Sequence, residues 1–400
     1  MRNLLFKAGL LATALLVAGC ASPPPRLAPS EIPALFKDAA FKPLAQAHDD
    51  EAIFALSPEM RQFMKKEVAE QVRHKGARWG LVDALYHKRK LLLDYDAAIT
   101  RNASEAFEAR AGNCLSLVIM TAAFAKEMGL GITYQQVTTE SNWSRMGSTL
   151  FLAGHVNVTL GRRWQETAAF SLDADSDRGM DSMTIDFVPP ELGRAERIRK
   201  LDERTLVAMF YNNRAAEAMV ANELDQAYWL ARAAIDRDPN YVNAYNTLGV
   251  IYRRHGDLLA SERVLRRVYE LEPNNPQVIG NLVVALRDMG QHAEADQLQR
   301  RLDQLQPDPP YAFFDRGVAA MNAGNFVQAR DLFRKEISRA AYVPEFHFWM
   351  ALADLRLGDL ASASKHMESA KDYSTTIKDR DIYATKLDKI KGYRATGYKP

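Results

Sequence analysis

The pattern of apolar and polar residues changes about halfway along the chain. In the first half, an apolar run from Cys114 to Gly129 predicts a helix. Two later runs, 155–160 and 183–188, alternate apolar and polar positions and predict strands. The second half keeps helical spacing throughout, so we predict an α+β domain followed by an all-α domain.

Turn residues in the second half recur at one fixed interval. Glycine and proline return every 34 residues, at Gly256, Gly290, Gly324 and Gly358 and at Pro239, Pro273 and Pro307, with Asn222 one interval earlier. This interval is typical of tetratricopeptide helix pairs, in which the glycine ends the first helix in a left-handed cap. We predict five pairs, at 208–241, 242–275, 276–309, 310–343 and 344–375, and a capping helix at 376–395.

Helix pairs of this kind hide their apolar flank only against one another, which produces a solenoid with a concave face. The aromatic residues of the apolar stripe are therefore expected to be mostly core: Trp229, Tyr252, Phe313, Phe314, Phe333, Phe346 and Trp349. The concave face is expected to bind a partner protein or peptide, although the fold alone specifies no ligand.

Cys114 is the clearest candidate for chemistry in the first half. It follows Gly112 and Asn113 and opens the apolar helix, where backbone N–H groups favour a thiolate. His155 begins the first predicted strand, and Asp186 lies in the second. Cysteine, histidine and aspartate in this order is the order of the papain-like nucleophile, base and orienting acid.

The choice of acid stays open, because Asp173 lies nearer to His155 along the chain than Asp186 does. Residues 173–181 approach a calcium-loop pattern, but Gly179 falls one place late and the closing glutamate is missing. We interpret this stretch as a solvated hairpin tip. No metal or cofactor is expected.

The residues around Cys114 resemble the transglutaminase-like (papain-like) superfamily, in its bacterial branch of lipoproteins that carry tetratricopeptide repeats. The resemblance covers about 80–190 and rests on residues 106–114, 134–137, 143 and 155–158. It implies a papain-like/transglutaminase-like fold, with helices packed on a small antiparallel sheet. It also implies a cysteine enzyme that acts on amide bonds of peptides or proteins, by hydrolysis or acyl transfer, through Cys114, His155 and Asp186.

Acyl transfer also needs hydrogen-bond donors directed at the developing oxyanion. The backbone N–H of Cys114 is one candidate, and Gln135 and Trp143 are candidates for the oxyanion or substrate groove. A second hypothesis is a non-catalytic tetratricopeptide scaffold lipoprotein of a cell-envelope assembly. In that hypothesis the transglutaminase-like fold survives only as a binding module.

The N-terminus has the pattern of a lipoprotein signal peptide. Residues 8–18 are apolar but too short to span a membrane, and Val17 to Cys20 resembles a bacterial lipobox. Lipidation at Cys20 is expected to anchor the chain on the periplasmic side of the cell envelope, and Ala21 favours the outer membrane. The expected organisation is a signal peptide at 1–20, a linker and N-terminal segment at 21–50, a transglutaminase-like domain at 51–200 and a repeat domain with a capping helix at 205–400.

The composition narrows the possible partners. The 52 basic and 50 acidic residues give a formal net charge of +2, and no basic stripe interleaved with aromatics occurs, so no nucleic-acid partner is expected. The chain has two cysteines, and an acylated Cys20 would leave Cys114 without a disulfide partner. The expected partners are a peptide or protein substrate, a protein on the concave repeat face, and the membrane through the lipid anchor.

Overall fold

Short helices and small sheets make up the first half of the chain. The structure is a computed structural model, and it describes residues 27–44, 48–86, 93–97, 99–138, 143–146, 149–152, 155–163, 182–187, 197–374 and 376–396. The α-helices described in this half are α1 (Glu51–Phe54), α2 (Pro58–Phe63), α3 (Ala69–Lys75), α4 (Ala77–Tyr86), α5 (Ala103–Ala109) and α6 (Cys114–Glu127). The strands are β1 (Asp94–Tyr95), β2 (Ala111–Gly112), β3 (Leu130–Thr138), β4 (Trp143–Met146), β5 (Thr149–Leu152), β6 (His155–Arg163), β7 (Met183–Ile185) and β8 (Arg197–Leu201).

The largest described sheet has four strands in the order β7-β6-β3-β8 and is antiparallel throughout. Its register places His155 opposite Val137 and Asn157 opposite Gln135. Directly opposed residues project from the same face of an antiparallel sheet, so these four side chains share one face. Strands β1 and β2 form a separate parallel pair, and β4 pairs with β5 antiparallel.

Helix α6 is the central helix of this half. Every residue from Cys114 to Ala125 is buried, and the helix packs against β3 and β6. A helix that is apolar all round belongs in a core rather than on a surface. The helix predicted at 114–129 is therefore present, and it carries Cys114 at its first position.

The second half is a series of antiparallel helix pairs. The pairs are α7 (Glu203–Val220) with α8 (Leu224–Arg237), α9 (Val242–His255) with α10 (Leu258–Leu271), α11 (Pro276–Asp288) with α12 (His292–Leu305), α13 (Ala312–Asn322) with α14 (Phe326–Arg339), and α15 (Pro344–Arg356) with α16 (Leu360–Asp372), followed by α17 (Ile377–Thr396). The predicted all-α solenoid is confirmed. Its first helix begins at Glu203, five positions before the predicted start of the first pair at 208. The chain enters this helix directly from β8 through Asp202.

Glycine has two different roles in these pairs. The four glycines of the 34-residue interval follow the first helices with φ between 76° and 94°, the left-handed region that glycine adopts without strain. Gly249 and Gly317 instead allow close helix contact, since a Cβ at Gly249 would lie 2.5 Å from Leu265 Cγ and one at Gly317 would lie 2.5 Å from Phe333 Cε1. Of the predicted stripe, Tyr252, Phe314, Phe333 and Phe346 are buried, while Trp229, Phe313 and Trp349 are half-buried.

Residues 27–44, inside the expected linker, pack against the first two helix pairs instead. Phe41 is 4% exposed and stacks on Tyr228, with the ring centroids 4.0 Å apart. The Tyr252 hydroxyl donates a 2.8 Å hydrogen bond to the carbonyl of Leu35. This stretch is part of the folded core, because buried aromatic contacts and not only chain connectivity hold it in place.

None of the helices in the described part of the chain has the length and apolar character that crossing a bilayer requires.

Candidate functional site

Asn113 fixes the start of the helix that carries Cys114. Its backbone is extended, with φ −73° and ψ 175°, and its side chain accepts a 2.9 Å hydrogen bond from the backbone N–H of Ser116. An asparagine in this position is an N-cap, which satisfies one of the unpaired N–H groups of the first turn. Cys114 therefore lies at the positive end of the α6 dipole.

The loop before α5 holds this N-cap from the other side. The side-chain amide of Asn113 donates to Thr100 Oγ1 over 2.8 Å, and the backbone N–H of Arg101 donates to Ser116 Oγ over 2.8 Å. The Arg101 guanidinium pairs with Asp96 at 2.8 Å, and both side chains are mostly buried. The position of Cys114 thus depends on a network of polar contacts around the first turn of α6.

His155 and Asp186 form the second part of the site. The Nε2 atom of His155 lies 2.6 Å from Asp186 Oδ1, with His155 buried and the Asp186 side chain 47% exposed. Burial disfavours the imidazolium, but the interactions with Asp186 and with Cys114 outweigh it and raise the pKa of His155 to about 9. The ring is therefore a cation at neutral pH, held by the carboxylate.

Cys114 lies beside the same imidazole. Cys114 is 9% exposed, and it contributes to the raised pKa of His155. A side-chain hydrogen bond between the Cys114 thiol and the His155 ring is among the interactions that raise the pKa of His155. Contacts of this kind are often long in unliganded sites and tighten when substrate binds.

Tyr95 is a neighbour of Cys114 that the sequence analysis missed. Tyr95 lies opposite Gly112 in the β1–β2 pair, and Gly112 is two positions before Cys114 in the chain. Burial and the adjacent Cys114 raise the pKa of the Tyr95 hydroxyl, which accepts a hydrogen bond from the backbone N–H of Cys114. A strand of two residues has no periodicity, so no signal in the sequence reveals this pairing.

The remaining predicted residues divide into those that the structure describes and those that it does not. Gln135 is partly buried on the sheet face of His155, opposite Asn157, whose buried Oδ1 has no hydrogen-bond partner among the described residues. Trp143 begins β4, but its side chain lies outside the description. Cys20, Asp173 and the 173–181 stretch also lie outside the described residues, so Asp186 is the predicted acid whose contact with His155 can be stated.

A thiol at a helix N-terminus, beside an imidazolium that a carboxylate orients, can form a nucleophilic thiolate. The Cys114 N–H, which we expected to face an oxyanion, is bonded to the Tyr95 hydroxyl in this structure. An oxyanion could use that N–H only if Tyr95 moved or shared it. Within the described ranges, no three His, Cys, Asp or Glu side chains are arranged to hold a metal ion.

The solenoid has two surface features away from the thiol, a contact between two amides and a cleft. Asn281 of α11 donates a 3.0 Å hydrogen bond to Asn246 of α9, which places side-chain amides side by side on two successive first helices. A cleft of about 810 Å³ is lined by Arg316, by residues 324–335 in part, and by Leu357. These surfaces are distinct from the thiol, because the cleft lining includes neither Cys114 nor His155.

Comparisons with known proteins bear on the second half. A model of the tetratricopeptide repeat matches residues 230–263, and no curated protein matches the chain. Similar solved structures include yeast Tom70 (18% identity, 49% of this chain and 42% of that chain, TM-score 0.34), pilF of Pseudomonas aeruginosa (18%, 49% and 89%, 0.29), and YrrB, described as a TPR protein with an unusual peptide-binding site (18%, 45% and 92%, 0.24). The chain thus spans about two fifths of the Tom70 chain. The repeat match and the helix pairs agree that the second half contains tetratricopeptide repeats.

Proposed function

We propose that this chain is a protein-interaction scaffold whose solenoid binds a protein or an extended peptide segment. The observation that carries the proposal is the run of five stacked helix pairs between Glu203 and Asp372. A stack of this kind presents a continuous concave surface, and its apolar side chains are used for packing between the pairs. Side-chain amides on successive first helices, as at Asn246 and Asn281, can bond to the backbone of a peptide of any sequence.

A site-specific photo-crosslinker tests this proposal. Placed at Asn246 or Asn281 in the full chain, it should capture a protein partner in cells. The matched control is the same crosslinker at Gln297, an exposed position on the second helix α12. Equal capture from all three positions, or capture only from Gln297, would contradict binding on the concave surface.

A second candidate function is acyl transfer from amide bonds, and the 2.6 Å contact between His155 and Asp186 beside Cys114 favours it. In this function the Cys114 sulfur attacks the amide carbonyl carbon. The C–N bond then breaks while His155 gives its proton to the leaving amine, and a thioester remains on the enzyme. Asp186 holds the imidazole in position and stabilises its charge.

The thioester would next be resolved by water or by an amine. The nucleophile gives its proton to His155 as the C–S bond breaks, which regenerates the thiolate and the imidazolium. This would be the chemistry of a transglutaminase-like peptidase or acyltransferase on peptides or proteins. A lipid anchor at Cys20 would hold both functions at the periplasmic face of a membrane, where envelope proteins are the available partners.

Thiol reactivity tests the second candidate. In full chain carrying Cys20→Ser, Cys114 should react with iodoacetamide faster than a cysteine in an unstructured peptide. His155→Gln should remove most of this acceleration, whereas His292→Gln, on an exposed position of the solenoid, should leave it unchanged. A Cys114 that reacts no faster than the peptide thiol would leave the scaffold as the only function.

A further inference from the structure

Two clefts in the solenoid lie at equivalent positions of different helix pairs. Residues 222–226, at the turn from α7 into α8, line the smaller cleft, which has a volume of about 340 Å³. Residues 324–328, at the turn from α13 into α14, line the larger one, of about 810 Å³. The two stretches are three 34-residue intervals apart, so the repeat produces the same kind of hollow in the first pair and in the fourth.

In the first pair, a segment of this chain lies in the cleft. Lys42 and the next two residues, Pro43 and Leu44, form one of its walls. The backbone N–H of Lys42 donates to Asp225 over 2.9 Å, and the indole N–H of Trp229 donates to the Lys42 carbonyl over 2.7 Å. Both hydrogen bonds go to the backbone of the segment, so this part of a helix pair can hold a peptide through its main-chain groups.

All residues that line the cleft of the fourth pair belong to the solenoid. Val327 takes the place of Asp225 there and is 56% exposed. Phe326 and Leu357 add further apolar lining. The volume of about 810 Å³ lies within the range of ligand clefts, so the site has room for a few residues of a bound peptide.

The charge of the fourth-pair cleft indicates the kind of ligand. Arg316 and Lys335 line this cleft, and both are exposed. Asp331 also lines it, but its carboxylate is paired with Arg334 at 2.7 Å. The lining therefore has an excess of positive charge, which favours an acidic ligand.

The fourth-pair cleft does not suit the segment that occupies the first pair. In the first pair, Phe41 stacks on Tyr228 with the ring centroids 4.0 Å apart, and the Tyr252 ring lies 6.0 Å from Phe41. The residues equivalent to these two tyrosines at the fourth-pair cleft are Arg330 and Asp354. They offer no ring on which Phe41 could stack, so the same segment of a second copy is not the expected occupant.

We propose that the cleft at residues 324–335 is a docking site for an extended acidic peptide segment of a partner protein. The main chain of that segment takes the position that residues 42–44 have in the first pair, and its carboxylates pair with Arg316 and Lys335. The site is separate from the concave surface proposed above, because its lining comes mainly from α14 and the turn before it.

Two fluorescein-labelled probe peptides test the site on the full chain carrying Cys20→Ser. One probe consists of three Glu-Pro-Leu repeats, which keep the proline and leucine of residues 42–44 and replace the lysine by an acid. The other consists of three Lys-Pro-Leu repeats. Fluorescence anisotropy should show that the acidic probe binds about tenfold more tightly or better. Lys335→Glu should weaken binding of the acidic probe by about fivefold to tenfold, since an attractive charge becomes repulsive, and Arg316→Glu should do the same.

Controls separate the cleft from general electrostatic attraction and from loss of the fold. Lys389→Glu reverses the charge of an exposed lysine on α17 and should leave the affinity unchanged. Asn281→Ala, on the first helix α11, should leave it unchanged as well. Lys335→Gln removes the charge without reversing it, so it should weaken binding by about twofold to threefold.

Three results would overturn the proposal: no binding of the acidic probe to the parent chain, equal binding of the two probes, or an affinity that is unchanged in both Lys335→Glu and Arg316→Glu. Loss of binding in Asn281→Ala with normal binding in Lys335→Glu would place the probe on the concave surface, and it would also overturn the proposal. The photo-crosslinking experiment at Asn246 and Asn281 reports on that other surface, so the two proposals can fail independently.

Discussion

The backbone N–H of Thr100 donates a 2.7 Å hydrogen bond to the carboxylate of Glu217, and this bond joins the first repeat to the loop that supports Cys114. Thr100 is 1% exposed, so its N–H has no access to water as an alternative partner. The same residue accepts a hydrogen bond from Asn113, the N-cap of α6. One buried threonine therefore connects the solenoid to the first turn of the helix that carries the thiol.

Glu217→Ala should destabilise the fold by about 1–3 kcal/mol, the cost of leaving a buried donor unpaired. The change in the free energy of unfolding can be measured by urea denaturation. Glu223→Ala, an exposed position three residues beyond the same helix, should change it by less than about 0.5 kcal/mol. A similar decrease in the free energy of unfolding in both variants would show that the hydrogen bond between Thr100 and Glu217 does not stabilise the fold.

The His155–Asp186 pair should make stability depend on pH. The pKa of His155 in the folded chain, about 9, lies above the ordinary value of 6.5. The pair therefore contributes fully below about pH 6.5, and its contribution is lost as the pH rises through 9. Because Asp186 is half exposed, we expect a loss of about 1–2 kcal/mol rather than the full value of the shift.

Asp186→Asn should lower the pKa of His155 and weaken this dependence, and the contribution of Cys114 should remain. Titration of the histidine rings by NMR gives the pKa directly, with His155→Gln to assign the resonance. Asp388→Asn removes an exposed carboxylate from α17 and should leave the His155 titration unchanged. A His155 pKa that stays near 9 without the Asp186 carboxylate would mean that another group stabilises the imidazolium.

Gly249→Ala should destabilise the solenoid by about 1–3 kcal/mol, because the added methyl group would lie 2.5 Å from Leu265 Cγ in the close contact between α9 and α10. Gly280→Ala is a matched control within the next first helix, α11. Its added methyl group would meet only Leu302, at 3.8 Å, and alanine is the better helix former by about 0.5–1 kcal/mol. Thermal unfolding should therefore shift in opposite directions in the two variants. A shift in the same direction would contradict the tight crossing at Gly249.

The sequence was informative where structure is local or periodic. The 34-residue interval predicts the solenoid because each pair repeats the same short-range rules for caps and crossings. Cys114, His155 and Asp186 could be selected because each lies on an element with its own pattern, and the structure brings them together, although their catalytic role stays a prediction. Whether the first half is transglutaminase-like also stays a prediction.

Contacts between distant parts of the chain could not be predicted. Thr100 and Glu217 are 117 positions apart, and Asp94 and Arg380 are 286 apart. Neither pair has a neighbouring pattern that marks it, since single polar residues are common both in loops and on helices. The packing of residues 27–44 was missed for a related reason. Proline-rich flanks suggest a linker, and only the aromatic surface of the first repeats shows what the segment can bind.

That packing leads to a last prediction, for Phe41→Ala. The Phe41 ring is almost fully buried against Tyr228, so its removal should destabilise the attachment of residues 27–44 by about 3–5 kcal/mol. The expected result is local detachment rather than global unfolding, because the helix pairs keep their own contacts with one another. Limited digestion with trypsin should then cleave faster after Lys37, while sites within α9 to α12 remain protected. Leu259→Ala, which removes a side chain that is 68% exposed, should leave the digestion pattern unchanged. If cleavage after Lys37 is equally fast in the parent chain, the segment is not held by the contact between Phe41 and Tyr228, and it would act as the flexible linker that the prolines suggested.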